Sequence, residues 1–126
     1  MNIHITNIQK SEIFTSIFQH IRLFTEHINI TFSKERMYLQ SMDSSRVSIF
    51  ELILPAEWFD IYDFEQSGPF TIGVNSIMLF KILNTRDKTQ ETYIIYDTDT
   101  DTDKLFIQFT SDNKTIYDKN FELPLI

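Results

Sequence analysis

The chain has 126 residues, 11 of them Lys or Arg and 18 Asp or Glu, for a formal charge of −7. That length supports one domain, or at most two very small ones, and buries roughly two thirds of the unfolded surface without staples. The absence of cysteine excludes disulfides, thiolate metal sites and a cysteine nucleophile, the 42% hydrophobic share excludes a disordered tail, and the acidic balance argues against holding nucleic acid by bulk attraction.

Met1 to Thr6 alternates apolar and polar residues, unlike the basic and then apolar start of a signal peptide. No stretch reaches the ~20 apolar residues of a membrane span, so an intracellular protein without membrane partners is expected. Ile3 and Ile5, extended toward Ile8, set up a first strand of period two. Ile13, Phe14, Ile17, Phe18 and Ile21 then recur at three- and four-residue steps, one face of a helix, with Ser11 as its cap. Alternation returns at Ile28, Ile30 and Phe32, and Lys34-Glu35 turns the chain into a strand over 37–41. A further strand is expected from about Val47 to Leu54, ended by Pro55, which removes a ladder donor.

Strands over 58–63 and 69–74 follow, joined by a Gln66-Ser67-Gly68 turn. A second helix carries the stripe Leu79, Ile82 and Leu83, with Asn75 or Ser76 as cap. Strands over 92–96 and 104–109 flank an Asp/Thr turn, and a last strand covers about Thr115 to Leu123. The order β-α-β-β-β-β-β-α-β-β-β makes this an α+β domain of antiparallel sheets with two helices on one face. Each half reads as a helix followed by antiparallel strands, without a repeat in the residues themselves.

Enzyme motifs are missing. The run from Asp97 to Asp103 alternates Asp and Thr, as calcium loops begin. Such a loop needs glycine at its sixth position and glutamate at its twelfth, where Thr102 and Gln108 stand. The run therefore reads as a solvated hairpin tip. His4, His20 and His27 are dispersed, no serine lies in a nucleophile elbow, and two glycines make no phosphate loop. Asp60 and Asp63 sit at odd separation, which puts them on opposite faces of a strand. No positioned base, metal set or cofactor site emerges.

The segment Leu39-Gln40-Ser41-Met42-Asp43-Ser44-Ser45-Arg46-Val47-Ser48 resembles the first-domain signature of the proliferating cell nuclear antigen family, the DNA sliding clamps. The resemblance continues in Phe59-Asp60-Ile61-Tyr62, Ile72-Gly73-Val74-Asn75 and Lys81-Ile82-Leu83, in order along the whole chain. It implies a clamp domain over 1–126, corresponding to the first of two domains in a subunit, with Glu122 to Ile126 at the start of an interdomain connecting loop. Family members close into a homotrimeric ring around duplex DNA, helices inward and sheets outward. They tether DNA polymerase and other proteins with clamp-binding motifs for replication and repair, are placed by a clamp loader, and have no catalytic residues or cofactors. The place of work is the nucleus in a eukaryote or the replication site of a virus.

Positions carry over where the motifs align. The resemblance implies a partner-peptide pocket at Met42, Arg46, Val47 and Ile49, with Leu125 and Ile126 on its loop side, and Arg46 replaces a histidine common in animal clamps. It places Lys10, Thr15, Ser16, Arg22, Lys81, Asn84 and Arg86 toward DNA. Thr15, Ser16 and Asn84 stand where lysine is usual, and Lys10 and Arg86 compensate from neighbouring positions. The final strand, with Thr115, Tyr117, Lys119 and Phe121, matches the subunit-contact edge, and the Val47–Leu54 strand borders a partner domain. Two exposed sheet edges predict self-association. The alternatives are a non-ring clamp-fold regulator competing for clamp partners and a metal-binding module built on Asp97–Asp103.

Overall fold

The computed structural model describes residues 1–43, 45–113 and 115–126. The strands among them are β1 (Asn2–Ile5), β2 (His27–Phe32), β3 (Arg36–Met42), β4 (Ile49–Pro55), β5 (Ile61–Asp63), β6 (Phe70–Asn75), β7 (Glu91–Ile95), β8 (Lys104–Thr110) and β9 (Lys119–Pro124). Helix α1 (Ile8–Ile21) follows β1, and α2 (Ser76–Leu83) follows β6. The strands form two sheets, ordered β5-β1-β7-β8-β9 and β4-β3-β2-β6, with every pairing antiparallel. The α+β class and the element order expected from the sequence hold.

Side-chain alternation explains the layering. The inward row Tyr62, Ile3, Ile94, Ile107 and Phe121 crosses the five-stranded sheet. The row Ile72, Ile30, Leu39 and Leu52 crosses the four-stranded one. A one-residue slip would turn either row to solvent, so burial itself sets the register. Helix α1 packs against β1 and β7, α2 against β6 and β9, and the helices against each other. Phe14, Phe18 and Ile21 of α1 and Leu79 and Leu83 of α2 are buried. Each such side chain contributes about 1.5–3 kcal/mol by leaving water.

Local chemistry moves several boundaries. Ile8 opens α1 and does not extend β1, because Asn7 is the cap: its side-chain oxygen accepts from the Lys10 N–H at 3.0 Å. The Asp60 carboxylate accepts from the N–H groups of Thr6 at 2.6 Å and Asn7 at 3.0 Å. Burial works to raise the Asp60 pKa, but these amides, at the positive end of a helix, win and hold it below its ordinary value. Ser11, read as the cap, is buried inside the helix, and its hydroxyl donates to the Ile5 carbonyl at 3.3 Å. In α2 the cap is Asn75, one of the two residues expected, accepting from Ile77 and Met78, each at 3.0 Å.

Trp58 lies in a short 3-10 turn (Ala56–Trp58) that precedes β5, because Pro55 directs the chain away from the ladder. Val47 precedes β4, since its N–H binds the Asp43 carboxylate and no strand partner. Thr115 and Tyr117 likewise precede β9. The Asn113 side chain accepts from the Thr115 N–H at 3.0 Å and hydroxyl at 2.7 Å, and this turn competes with extended pairing.

Candidate functional site

On the helix layer, the cations expected to face DNA are mostly engaged within the fold. The Lys10 ammonium donates to the Trp58 carbonyl at 2.7 Å and lies 5.6 Å from that indole's centre. Arg22 caps α1 and stacks on Phe80, 4.5 Å from the ring centre, with its Nε buried and unpartnered. The Arg86 side chain is only 5% exposed. One of its terminal nitrogens donates to the carbonyls of Asp87, Lys88 and Gln90 at 3.1, 3.3 and 2.9 Å, organising the loop after α2. Burial pushes the Arg86 guanidinium down from its ordinary value, and Glu12 and Asp87 act in the other direction.

Lys81, by contrast, is exposed in the last turn of α2. Thr15, Ser16 and Asn84 line a shallow groove of about 220 Å³ between the helices, with Glu12, Gln19 and Lys88. The Thr15 hydroxyl is turned to its own helix, donating to the Ser11 carbonyl at 3.1 Å. The side chains expected to compensate, Lys10 and Arg86, are therefore committed to the fold, while each keeps its positive charge. Both belong to the fold's own hydrogen bonding, because carbonyls of Trp58 and of the α2–β7 loop need donors there.

The open end of the β3–β4 hairpin has the opposite character. Met42 and Ile49 are direct cross-strand partners, so their side chains share one face. Met42 is 44% exposed, Ile49 64% and Val47 85%, on a loop with no apolar cover among the described residues. Arg46 adopts a left-handed φ of 61°. Leu125 and Ile126 are not brought to this patch. The Leu125 N–H donates to Asp103 at 2.8 Å, and the Ile126 N–H to the Gly73 carbonyl at 2.9 Å, which links β6 to the end of β9. Gly73 admits this approach because a Cβ there would lie 3.3 Å from the Ile126 carbonyl oxygen and 3.1 Å from His27. Since β6 and β4 are opposite ends of one four-stranded sheet, about three strand spacings of ~4.8 Å separate the two groups.

At the expected subunit edge, β9 closes the five-stranded sheet with its outer side unpaired among the described residues, and β4 does the same for the other sheet. Tyr117 is 85% exposed beside β9. Lys119 and Phe121 alternate inward. The Lys119 ammonium donates to the Thr85 carbonyl and to the Asp87 carboxylate, the latter at 3.1 Å.

Gln90 was not singled out in the sequence. It is fully buried and joins the same region, donating to the Tyr117 carbonyl at 2.7 Å and accepting from the Asp87 N–H at 2.9 Å. Asp43 lies inside the clamp-like motif, and its carboxylate organises the hairpin end. Its signal was the Asp-Ser-Ser sequence, which favours side-chain-capped turns. In the acidic run, Asp97 accepts from the Asp99 and Thr100 N–H groups at 2.9 and 3.3 Å and the Thr100 hydroxyl at 2.6 Å, a self-contained turn.

Residues 4–126 match the family model described as proliferating cell nuclear antigen, N-terminal domain. The chain is 35% identical over 95 residues to DNA polymerase sliding clamp 1 of Thermococcus kodakarensis, covering 75% of this chain and 34% of the relative. It is 26% identical over 116 residues to DNA polymerase sliding clamp 3 of Sulfurisphaera tokodaii, covering 92% and 44%. The chain thus spans less than half the length of these curated relatives. The crystal structure of PCNA from Thermococcus kodakaraensis superposes with a TM-score of 0.85 at 20% identity, over 99% of this chain and 46% of that one. A PCNA2-PCNA3 complex from Sulfolobus tokodaii gives 0.82 at 21% identity, over 100% and 46%. With its β-α-β5-α-β3 order, paired helices and unpaired sheet ends, and with the family model matched from residue 4 to the end, the chain belongs to the proliferating cell nuclear antigen family, in the part that forms the N-terminal domain.

Proposed function

We propose that this chain is a non-enzymatic domain of a DNA polymerase sliding clamp. It contributes a helix-lined arc to a ring around duplex DNA and tethers DNA polymerase and other proteins carrying clamp-binding motifs. The observation that carries the reading is the pairing of a helix layer whose cations Lys10 and Arg86 are held within the fold with strands that end their sheets unpaired among the described residues, β4 and β9 among the four such strands. Weak electrostatic attraction suits a protein that retains DNA by enclosure, and open edges suit continuation of the sheets into neighbouring clamp domains. The names of the relatives and the complex formed by one structural neighbour support the same reading.

On this reading Lys81, Thr15, Ser16 and Asn84 face the duplex, with Lys10, Arg22 and Arg86 shaping that face from within. Met42, Val47 and Ile49 receive apolar and aromatic anchors of partner motifs. Partners include a clamp loader, and the site of action is the place of DNA replication inside the cell, the nucleus or a viral replication site. The expected result is stimulation of a DNA polymerase on primed circular DNA that is lost on linear DNA with unblocked ends. Equal stimulation on both templates, or none on either, refutes the proposal. A strictly monomeric mass in light scattering at high concentration counts against assembly through the sheet edges. Ile49→Asp is expected to weaken binding of a partner peptide while leaving the unfolding midpoint in place.

A further inference from the structure

The exposed apolar patch at the hairpin end raises a physical question: what keeps Val47, 85% exposed on a short loop, from folding back onto the sheet? The answer lies in one carboxylate. Asp43 Oδ1 accepts from the N–H groups of Val47 at 2.9 Å and Ser48 at 3.2 Å. Its Oδ2 accepts from the Ser45 hydroxyl at 2.8 Å. The Asp43 backbone completes the clasp, its N–H donating to the Ser48 carbonyl at 3.0 Å and its carbonyl accepting from the Arg46 N–H at 2.9 Å. Arg46 meanwhile holds a left-handed conformation that is unfavourable for a residue with a Cβ and persists only where its surroundings impose it.

We infer that Asp43 is a positioning residue of the partner-binding patch: its carboxylate clasps the 45–48 backbone and fixes Val47 outward beside Met42 and Ile49. The inference rests on the partner-peptide reading of that patch given above. Several observations support it together. The clasp donors include the Val47 N–H itself, so the carboxylate acts directly on the residue it presents. Hydrogen bonding from Ser45 and then from Ser48 and Val47 holds the Asp43 carboxyl below its ordinary pKa, so the acceptor is ionised at neutral pH. Asp43 lies at the solvent end of the hairpin and outside the hydrophobic core, so its removal leaves the sheets intact. Ordering an apolar side chain before a partner arrives lowers the entropy cost of docking, which is how preorganisation raises affinity.

The experiment pairs amide hydrogen exchange with binding of a synthetic peptide that carries a glutamine plus apolar and aromatic anchors. In Asp43→Ala, exchange of the Val47 and Ser48 amides is expected to accelerate, with an unchanged unfolding midpoint. Peptide affinity is expected to fall roughly tenfold, the scale of losing one hydrogen bond to a charged group. Asp43→Asn keeps an acceptor oxygen and is expected to stay within about threefold of the parent. Adding Asp43→Ala to Val47→Ala is expected to weaken binding no further than Val47→Ala alone, because Asp43 acts through Val47. Additive losses overturn the positioning role and make Asp43 a direct contact. Unchanged exchange at both amides overturns the clasp. If the parent protein itself fails to bind the peptide, the partner-peptide reading of the patch falls, and with it the role of Asp43 in docking.

Discussion

The helix layer and the β3–β4 hairpin end use charge in opposite ways. On the helix layer, the cations Lys10, Arg22 and Arg86 turn toward carbonyls and rings of their own fold and leave Lys81 as a free cation. At the hairpin end, a single carboxylate turns toward its own backbone and leaves apolar side chains free. The lesson is that residue type alone does not tell what a surface offers. A charged group next to unpaired backbone atoms satisfies those atoms first, because an unsatisfied buried carbonyl or N–H costs about 1–3 kcal/mol. What remains exposed is whatever the local backbone did not need.

The largest effect that tests this contrast is expected at Arg86. Arg86→Ala leaves the carbonyls of Asp87, Lys88 and Gln90 without their donor. It is expected to destabilise the domain by about 1–2 kcal/mol in urea unfolding, as for hydrogen bonds from a charged group to carbonyls that water partly reaches. Wild-type stability for this variant would return Arg86 to the DNA-facing set. A second effect is expected at Tyr62, whose hydroxyl donates to the carbonyls of Ser33 at 2.7 Å and Arg36 at 3.0 Å and so ties β5 to the β2–β3 turn. Burial, opposed by the Ser33 contact and reinforced by Glu35, pushes its pKa from 10.0 up to about 12.

The sign for Tyr62 follows from the raised value. The folded state prefers the neutral phenol, so the stability it contributes is complete below pH 10 and is lost as pH rises toward about 12. Tyr62→Phe is expected to cost about 1 kcal/mol at neutral pH and to flatten the alkaline loss of stability. Unfolding curves recorded from pH 8 upward for both proteins decide it, and identical alkaline slopes would remove Tyr62 from that role.

At the hairpin end the expected change has the other sign. Arg46→Gly relieves the left-handed φ of 61° and is expected to raise stability by up to about 1 kcal/mol, because glycine adopts that region without a steric penalty. A drop in the thermal midpoint would mean that the Arg46 side chain makes contacts that outweigh its backbone cost. The smallest change in stability is expected at Lys81. Lys81→Ala should alter unfolding by less than about 0.5 kcal/mol, as an exposed side chain. It should, however, lower the salt sensitivity of DNA retention by about one phosphate contact. A change in stability without a change in salt response would sink the contrast between a structural Arg86 and a free Lys81.

Much of the fold was legible in the sequence. Ile28, Ile30 and Phe32 alternate, and Phe14, Phe18 and Ile21 follow the helical period, because burial selects one face of each element. The Asn75 cap was legible for the same local reason. The misplaced boundaries at Ser11, Val47 and Tyr117 share a cause. In each case a nearby Asn or Asp, at 7, 43 or 113, captured backbone N–H groups and set the element's start. Hydrophobic period alone does not report that competition. The candidate surfaces were legible as residue types: Met42, Val47 and Ile49 are exposed as a set, whereas Leu125 and Ile126 lie at the far side of the sheet on Gly73.

The sequence by itself determined the element order, the apolar alternation within strands such as Ile28, Ile30 and Phe32, and the resemblance to a sliding-clamp first domain. These depend on local period and on motif order, both of which are written along the chain. Tertiary structure alone decided the fate of the charges. Lys10 meets Trp58 across 48 positions, Lys119 meets Asp87 across 32, and Gln90 meets Tyr117 across 27. Such pairings depend on which carbonyl or carboxylate lies near which donor after the sheets close, and no spacing along the chain records that distance. In an acidic chain of net charge −7, three of the four cations expected to meet DNA, Lys10, Arg22 and Arg86, keep their charge but are held against carbonyls or a ring of their own fold.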